Sequence, residues 1–180
     1  KKKKKSKSTN KEFYIAPNYV TDGDFETLNF WNLVSGTVDI INNNVLRASS
    51  GTTALDLNGE SPGTLSQTIF LNLSFPYYLS FQLSGNPNYQ GVHVLRASID
   101  DISHDFTFVS NGNTADNMRY ELVGFEFFPT SSSPTLTFQS LINGASGPMI
   151  DTVAIYQSSI FHFLFFFFFF FFFFFFFFFF

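Results

Sequence analysis

The chain has 180 residues and a formal charge of −4, but these averages mix three unlike stretches: all seven lysines fall within residues 1–11, and 18 of the 30 phenylalanines within 161–180. Between Glu12 and Ile160, three arginines face all fourteen acids, a charge of −11, and this argues against nucleic-acid binding, which needs clustered Lys and Arg against phosphates. With no cysteine the chain has no disulfide framework, no thiolate zinc site and no thiol nucleophile.

In chain order, residues 1–17 read as a basic low-complexity arm, because a block of like charge stays solvated rather than folding. Residues 18–157 read as one domain of ordinary size. Their apolar pattern has period two: Leu79, Phe81 and Leu83 alternate with Ser80 and Gln82, Leu95, Ala97 and Ile99 with Arg96 and Ser98, and Val123, Phe125 and Phe127 with Gly124 and Glu126. Further short runs lie at 37–41, 45–48, 54–57, 65–70, 105–109, 135–141 and 149–156. Turn pairs separate the runs, among them Asp22-Gly23, Asn58-Gly59, Pro62-Gly63, Asn111-Gly112 and Asn143-Gly144. About ten short strands follow from this pattern. No apolar run has the 3.6-residue period and no helix alternates with the strands, so the expected fold is all-β, an antiparallel β-sandwich or jelly roll.

Residues 158–180 form a poly-Phe low-complexity tail. Ile160 to Phe180 is a 21-residue apolar stretch interrupted only by His162, which is bilayer-spanning length and would act as a hydrophobic anchor. The competing account of both ends is translation of A/T tracts, since AAA encodes Lys and TTT encodes Phe, and natural lipid-facing segments mix Leu, Ile, Val and Ala.

Enzyme signatures are absent from the sequence: there is no Gly-x-Ser-x-Gly, no His-Glu-x-x-His and no phosphate-cradling glycine loop. Ser103-His104-Asp105 has the residue types of a triad, but neighbours on a strand point to opposite faces. Asp100-Asp101 alternates in the same way and reads as an exposed turn, and His93 has no second histidine spaced to join it in a metal site. A more promising carboxylate set is Asp24 and Glu26 near the start of the domain with Asp151 on its last strand. First and last strands of a sandwich end near each other, so these three and nearby carbonyls could form an oxygen cage for one structural calcium ion; the alternative is a solvated acidic turn beside a capped strand end. For sugar contact the candidates are Asn86, Tyr89, Arg96 and Tyr120, because aromatic faces stack on pyranose C–H faces while amides and guanidinium pair with hydroxyls. Tyr89 is expected exposed and Trp31 buried; Arg96 reads equally as one half of a surface ion pair.

Val20-Thr21-Asp22-Gly23-Asp24-Phe25-Glu26 with Trp31, Leu55-Asp56-Leu57-Asn58-Gly59, Pro62-Gly63-Thr64-Leu65, Leu79-Ser80-Phe81-Gln82-Leu83-Ser84-Gly85-Asn86-Pro87 and Gly147-Pro148-Met149-Ile150-Asp151 follow one another in the chain. Taken together, these motifs resemble the choice-of-anchor C family and the similar plant cell-wall family known as domain of unknown function 642. The resemblance implies a galactose-binding-like jelly roll, exported to the cell surface or wall, that binds polysaccharide or a wall-modifying partner without catalysis. It also implies a structural calcium near the Gly23 to Glu26 motif and Asp151. The chain departs from the plant members, which pair two such domains and contain cysteines, and Tyr120 stands where bacterial relatives have Trp.

The sequence therefore leads to a non-catalytic, extracellular or wall-associated carbohydrate-binding module. The alternative is an adhesion or scaffold domain whose partner is a protein. A membrane enters only through the Phe-rich tail, and no nucleic acid is expected.

Overall fold

The structure, a computed structural model, describes residues 17–158. The expectations for the basic arm and the Phe-rich tail fall outside those residues. Within them the chain forms ten strands: β1 (Asn32–Ser35), β2 (Asp39–Asn42), β3 (Thr53–Asp56), β4 (Thr64–Thr68), β5 (Tyr77–Gly85), β6 (Val92–Ile99), β7 (Ile102–Val109), β8 (Glu121–Phe127), β9 (Thr135–Ser140) and β10 (Pro148–Gln157). Among the described residues no helix is long and apolar enough to cross a membrane.

The strands build two five-stranded antiparallel sheets, β1-β4-β9-β6-β7 and β2-β3-β10-β5-β8. The period-two alternation is what lets them pack face to face. Tyr77, Leu79, Phe81 and Leu83 of β5 turn inward against Leu95 and Ala97 of β6 and Phe138 of β9, and all are buried. Aromatic rings seal the layer: Phe81 meets Phe138 edge-on at 5.0 Å between centroids and Phe106 at 5.2 Å. Each such side chain contributes about 1.5–3 kcal/mol by leaving water. Trp31 is buried as expected, and its indole N–H donates to the Asp22 carbonyl at 2.9 Å.

The chain's start runs beside its last strand. Tyr19 N donates to Ile155 O at 3.0 Å, and Val153 N donates to Gly23 O at 2.7 Å. Gly23 permits this closeness, because a Cβ there would collide with the Val153 carbonyl. Asp22 beside it has φ 55°, so the Asp22-Gly23 turn puts its left-handed residue at the aspartate rather than the glycine.

Two expectations about strands need correction. Residues 32–35 form β1, which the alternation did not single out, and residues 45–48 are not a strand but part of the β2–β3 loop. Leu46 of that loop is buried all the same. It packs with Met118, Met149 and Ala54 in a small second core on the outer face of the second sheet. A short apolar run signals burial, and burial against the outside of a sheet leaves the same trace as a strand.

Candidate functional site

The loops at the end of the sandwich where β5 leaves its sheet and β6 enters the other form a rigid platform. Asn86 begins it and is buried: its Nδ2 donates to Asp56 Oδ2 at 2.7 Å, its Oδ1 accepts from Asn88 N at 3.0 Å, and its own N donates to Gly147 O. Gln90 bridges two loops, donating from Nε2 to Pro87 O and Asn113 O and accepting from Gly112 N at 2.9 Å. His93, buried on β6, places Nε2 3.0 Å from both the Tyr89 carbonyl and the Ser110 hydroxyl. Burial holds its pKa below the ordinary imidazole value. These bonds fix the backbone that carries Tyr89.

Tyr89 itself is exposed, at 48 % of its surface. Its ring stands edge-to-face with that of His93, 5.3 Å between centroids, and a Cβ on Gly91 would come within 2.9 Å of the phenol oxygen. The ring is thus packed on His93 and Gly91 yet half exposed, which leaves aromatic surface for a ligand. Arg119, with φ 50°, sends Nη1 to the Asn111 carbonyl at 2.7 Å on the turn that Gln90 holds. The bracing bonds of Gln90 and Arg119 were not legible in the sequence. Their partners come from loops about twenty residues away or across an irregular turn, and no local pattern announces them.

The other sugar candidates do not gather here. Arg96 stands mid-strand on the outer face of the first sheet in a bidentate pair with Asp105, at 2.7 and 2.9 Å. Tyr120 ends the β7–β8 loop over the second sheet, its hydroxyl buried and without a hydrogen-bond partner. Burial, then the charges of Asp151 and Asp56, push its pKa above the ordinary phenol value. The triad-like run splits by face. Ser103 and Asp105 pair outward with Ser98 and Arg96, while the His104 ring lies 4.4 Å from Phe125 of the opposite sheet.

Of the three carboxylates considered for calcium, two meet one turn. Glu26 accepts from Thr52 N at 2.6 Å and Thr53 N at 3.1 Å and from the Thr52 hydroxyl, which together hold its pKa below the usual value. Asp151 is fully buried, and its Oδ2 accepts from Ser50 N at 2.8 Å. Burial pushes its pKa up to about 6 against those hydrogen bonds. Asp24 is exposed on the preceding turn. Among the described residues no group of three or more His, Cys, Asp or Glu side chains is arranged to hold a metal ion. As hard oxygen donors Glu26 and Asp151 fit calcium chemically, and the rest of its shell would have to come from carbonyl and hydroxyl oxygens of the 49–53 turn.

A family model described as a protein of unknown function (DUF642) matches residues 7–156. No curated protein matches the chain significantly. Among solved structures, the TmCBM61 module in complex with beta-1,4-galactotriose is 18 % identical with a TM-score of 0.61, covering 79 % of this chain and 100 % of that one. A family 16 carbohydrate-binding module is 13 % identical with a TM-score of 0.57, covering 77 % and 99 %. The enzymatically active domain of tailspike protein 4 from bacteriophage CBA120 is 18 % identical with a TM-score of 0.52; the match covers 78 % of this chain but 21 % of that one. At these identities the likeness establishes a shared jelly-roll sandwich.

Proposed function

The chain belongs to the DUF642 family, and from that premise we propose that it is a non-catalytic carbohydrate-binding module that works outside the cell or in the cell wall, in line with the choice-of-anchor C resemblance. The observation that carries this reading is Tyr89, an exposed ring on a platform fixed by Asn86, Gln90 and His93. Preorganised aromatic surface binds at low entropic cost, and the exposed Asn88 amide beside the ring can offer a donor and an acceptor to hydroxyls. That the sandwich is shared with carbohydrate-binding modules supports the same reading. A glycan array with the full chain tests it. Binding to at least one glycan is expected, with Tyr89→Ala lowering affinity about tenfold or more at unchanged melting temperature. A wild-type chain that binds no glycan above background would refute the reading.

Calcium belongs to this proposal through Glu26 and Asp151. An ion bound only by the folded state raises its stability, so EDTA should lower the melting temperature by a few degrees and added calcium should restore it. A melting curve indifferent to both would remove calcium from the account.

One observation favours the adhesion alternative, in which the partner is a protein such as a wall-modifying enzyme. On the outer face of the first sheet Val92 and Val109 are directly paired and each about half exposed, and Leu141, just past the end of β9, is bonded through its N to the Val94 carbonyl nearby. Exposed apolar clusters mark protein contacts. Should the array be blank, this face takes precedence.

A further inference from the structure

The outer face of the second sheet is covered along only half its length. At one end the β2–β3 and β7–β8 loops fold over it, joined by a hydrogen bond from Arg47 N to Ala115 O at 2.8 Å. They bury Ala54, Met149 and Asp56, which point outward from the sheet. Toward the other end, among the described residues, Tyr78, Glu126 and Leu122 are exposed and Ser80 and Gly124 partly so, while Ala154 on β10 is buried; the register shows the relief. Tyr156 pairs with Tyr78, which pairs with Glu126; the next outward row is Ala154, Ser80 and Gly124; the row after that is Asp151, Gln82 and Leu122. A row of small side chains thus lies between two rows of large ones, forming a trough that crosses the strands. It is open at the β8 edge, since β8 is the outermost strand.

The trough has the chemistry of a sugar contact. Tyr78 and Tyr156 remain 38 % exposed, on paired positions whose Cβ atoms stand about 5 Å apart. Adjacent strands are about 4.8 Å apart, comparable to one sugar unit of an extended chain, so each strand can meet a successive unit. Gln82 and Ser80 offer donors and acceptors on the floor and far wall. Beside the floor, β10 carries one extra residue between Asp151 and Ala154, and Thr152 there has φ 53°. Such a bulge bends the strand and deepens the curvature, and a left-handed β-branched residue persists only where its surroundings enforce it.

We propose that this trough is a second glycan-binding surface, separate from the Tyr89 platform, which takes an internal stretch of an uncharged polysaccharide laid across the strands. The inference rests on the carbohydrate reading above. The two surfaces lie at opposite ends of β5, with Tyr78 at its start and the platform loop leaving after Gly85. Uncharged sugar is specified because the charged side chains in the three rows are carboxylates, Glu126 exposed at one end and Asp151 buried. Either would repel an acidic chain.

The test titrates the full chain with soluble galactan, xylan and polygalacturonate, in long and short forms. Variants are the Tyr78→Ala/Tyr156→Ala pair, Ser80→Tyr, which fills the floor while keeping both rings, and Tyr89→Ala. The trough predicts that the paired variant and Ser80→Tyr each lose about tenfold or more in affinity for a long neutral chain, at unchanged melting temperature, while Tyr89→Ala retains part of that binding. Unchanged long-chain binding in Ser80→Tyr, with all binding lost in Tyr89→Ala, would overturn the trough and leave the platform standing. Binding of polygalacturonate alone would overturn the trough's chemistry. Failure of the wild-type chain to bind any of the three would remove the trough together with the carbohydrate reading.

Discussion

On the outer face of the first sheet, Ser66, Thr137 and Ser98 stand in one register row and Gln139, Arg96 and Asp105 in the next, all reached by solvent. On the outer face of the second, Ala54, Met149 and Asp56 stand at the same parity and are fully buried. Pleating alone treats the two faces alike. What separates them is length of connection: among the described residues no connection returns over the first face, while the 43–52 and 110–120 loops are long enough to cross the second and carry Leu46 and Met118 to its surface. Outward parity on a strand therefore predicts solvent only where no loop returns over the sheet. The half that the loops leave open is where the trough lies.

The largest effect expected from this contrast comes from packing. Met149→Ala should cost about 2–5 kcal/mol in urea unfolding, as for any fully buried apolar truncation, whereas Gln139→Ala at the same parity on the other face should stay within about 0.5 kcal/mol. Equal costs would mean that the loops do not cover the second face in solution.

Charge sharpens the contrast next. Asp105, open to solvent, is held below the usual carboxylate value by the hydrogen bonds and charge of Arg96. Asp56, under the loops, is pushed up to about 6 by burial, against hydrogen bonds from Asn86, Asn58 N and Gly147 N. A raised folded-state pKa means that the folded protein binds this proton more tightly than the unfolded chain does. The Asp56 contribution is therefore fully present below about pH 4 and is lost as pH rises through about 6, to a limit of about 3 kcal/mol. Asp56→Asn will lower stability at every pH, because its amide meets the Asn86 donor, yet it should flatten this slope. Parallel pH profiles for the wild type and the variant would show that Asp56 does not titrate as a buried group.

The smallest effect should come from Arg96. Both members of its pair are exposed, and exposed ion pairs are screened and weak. Arg96→Ala should leave the melting temperature and glycan affinity where they were. A clear loss of affinity would instead place a sugar contact on the first sheet's outer face and revise the assignment of the two faces.

The amino-acid sequence by itself determined the all-β sandwich and most of its strands, because the alternation of Leu79, Phe81 and Leu83 against Ser80 and Gln82 is a local consequence of the pleat. It also determined that Tyr89, set in the polar run Asn86-Pro87-Asn88-Tyr89-Gln90, would be exposed; Glu26 and Asp151, which it suggested would meet, each accept from the 50–53 turn. Only the tertiary structure decided that Asn86 is a buried anchor for the platform, that Arg96 is engaged by Asp105, that residues 45–48 cap a sheet from outside, and that Tyr78 and Tyr156 share a row. The division is physical: alternation and turn chemistry act between near neighbours, whereas register, loop coverage and buried polar pairing join residues as far apart as Asp56 and Gly147, and no local pattern encodes those separations.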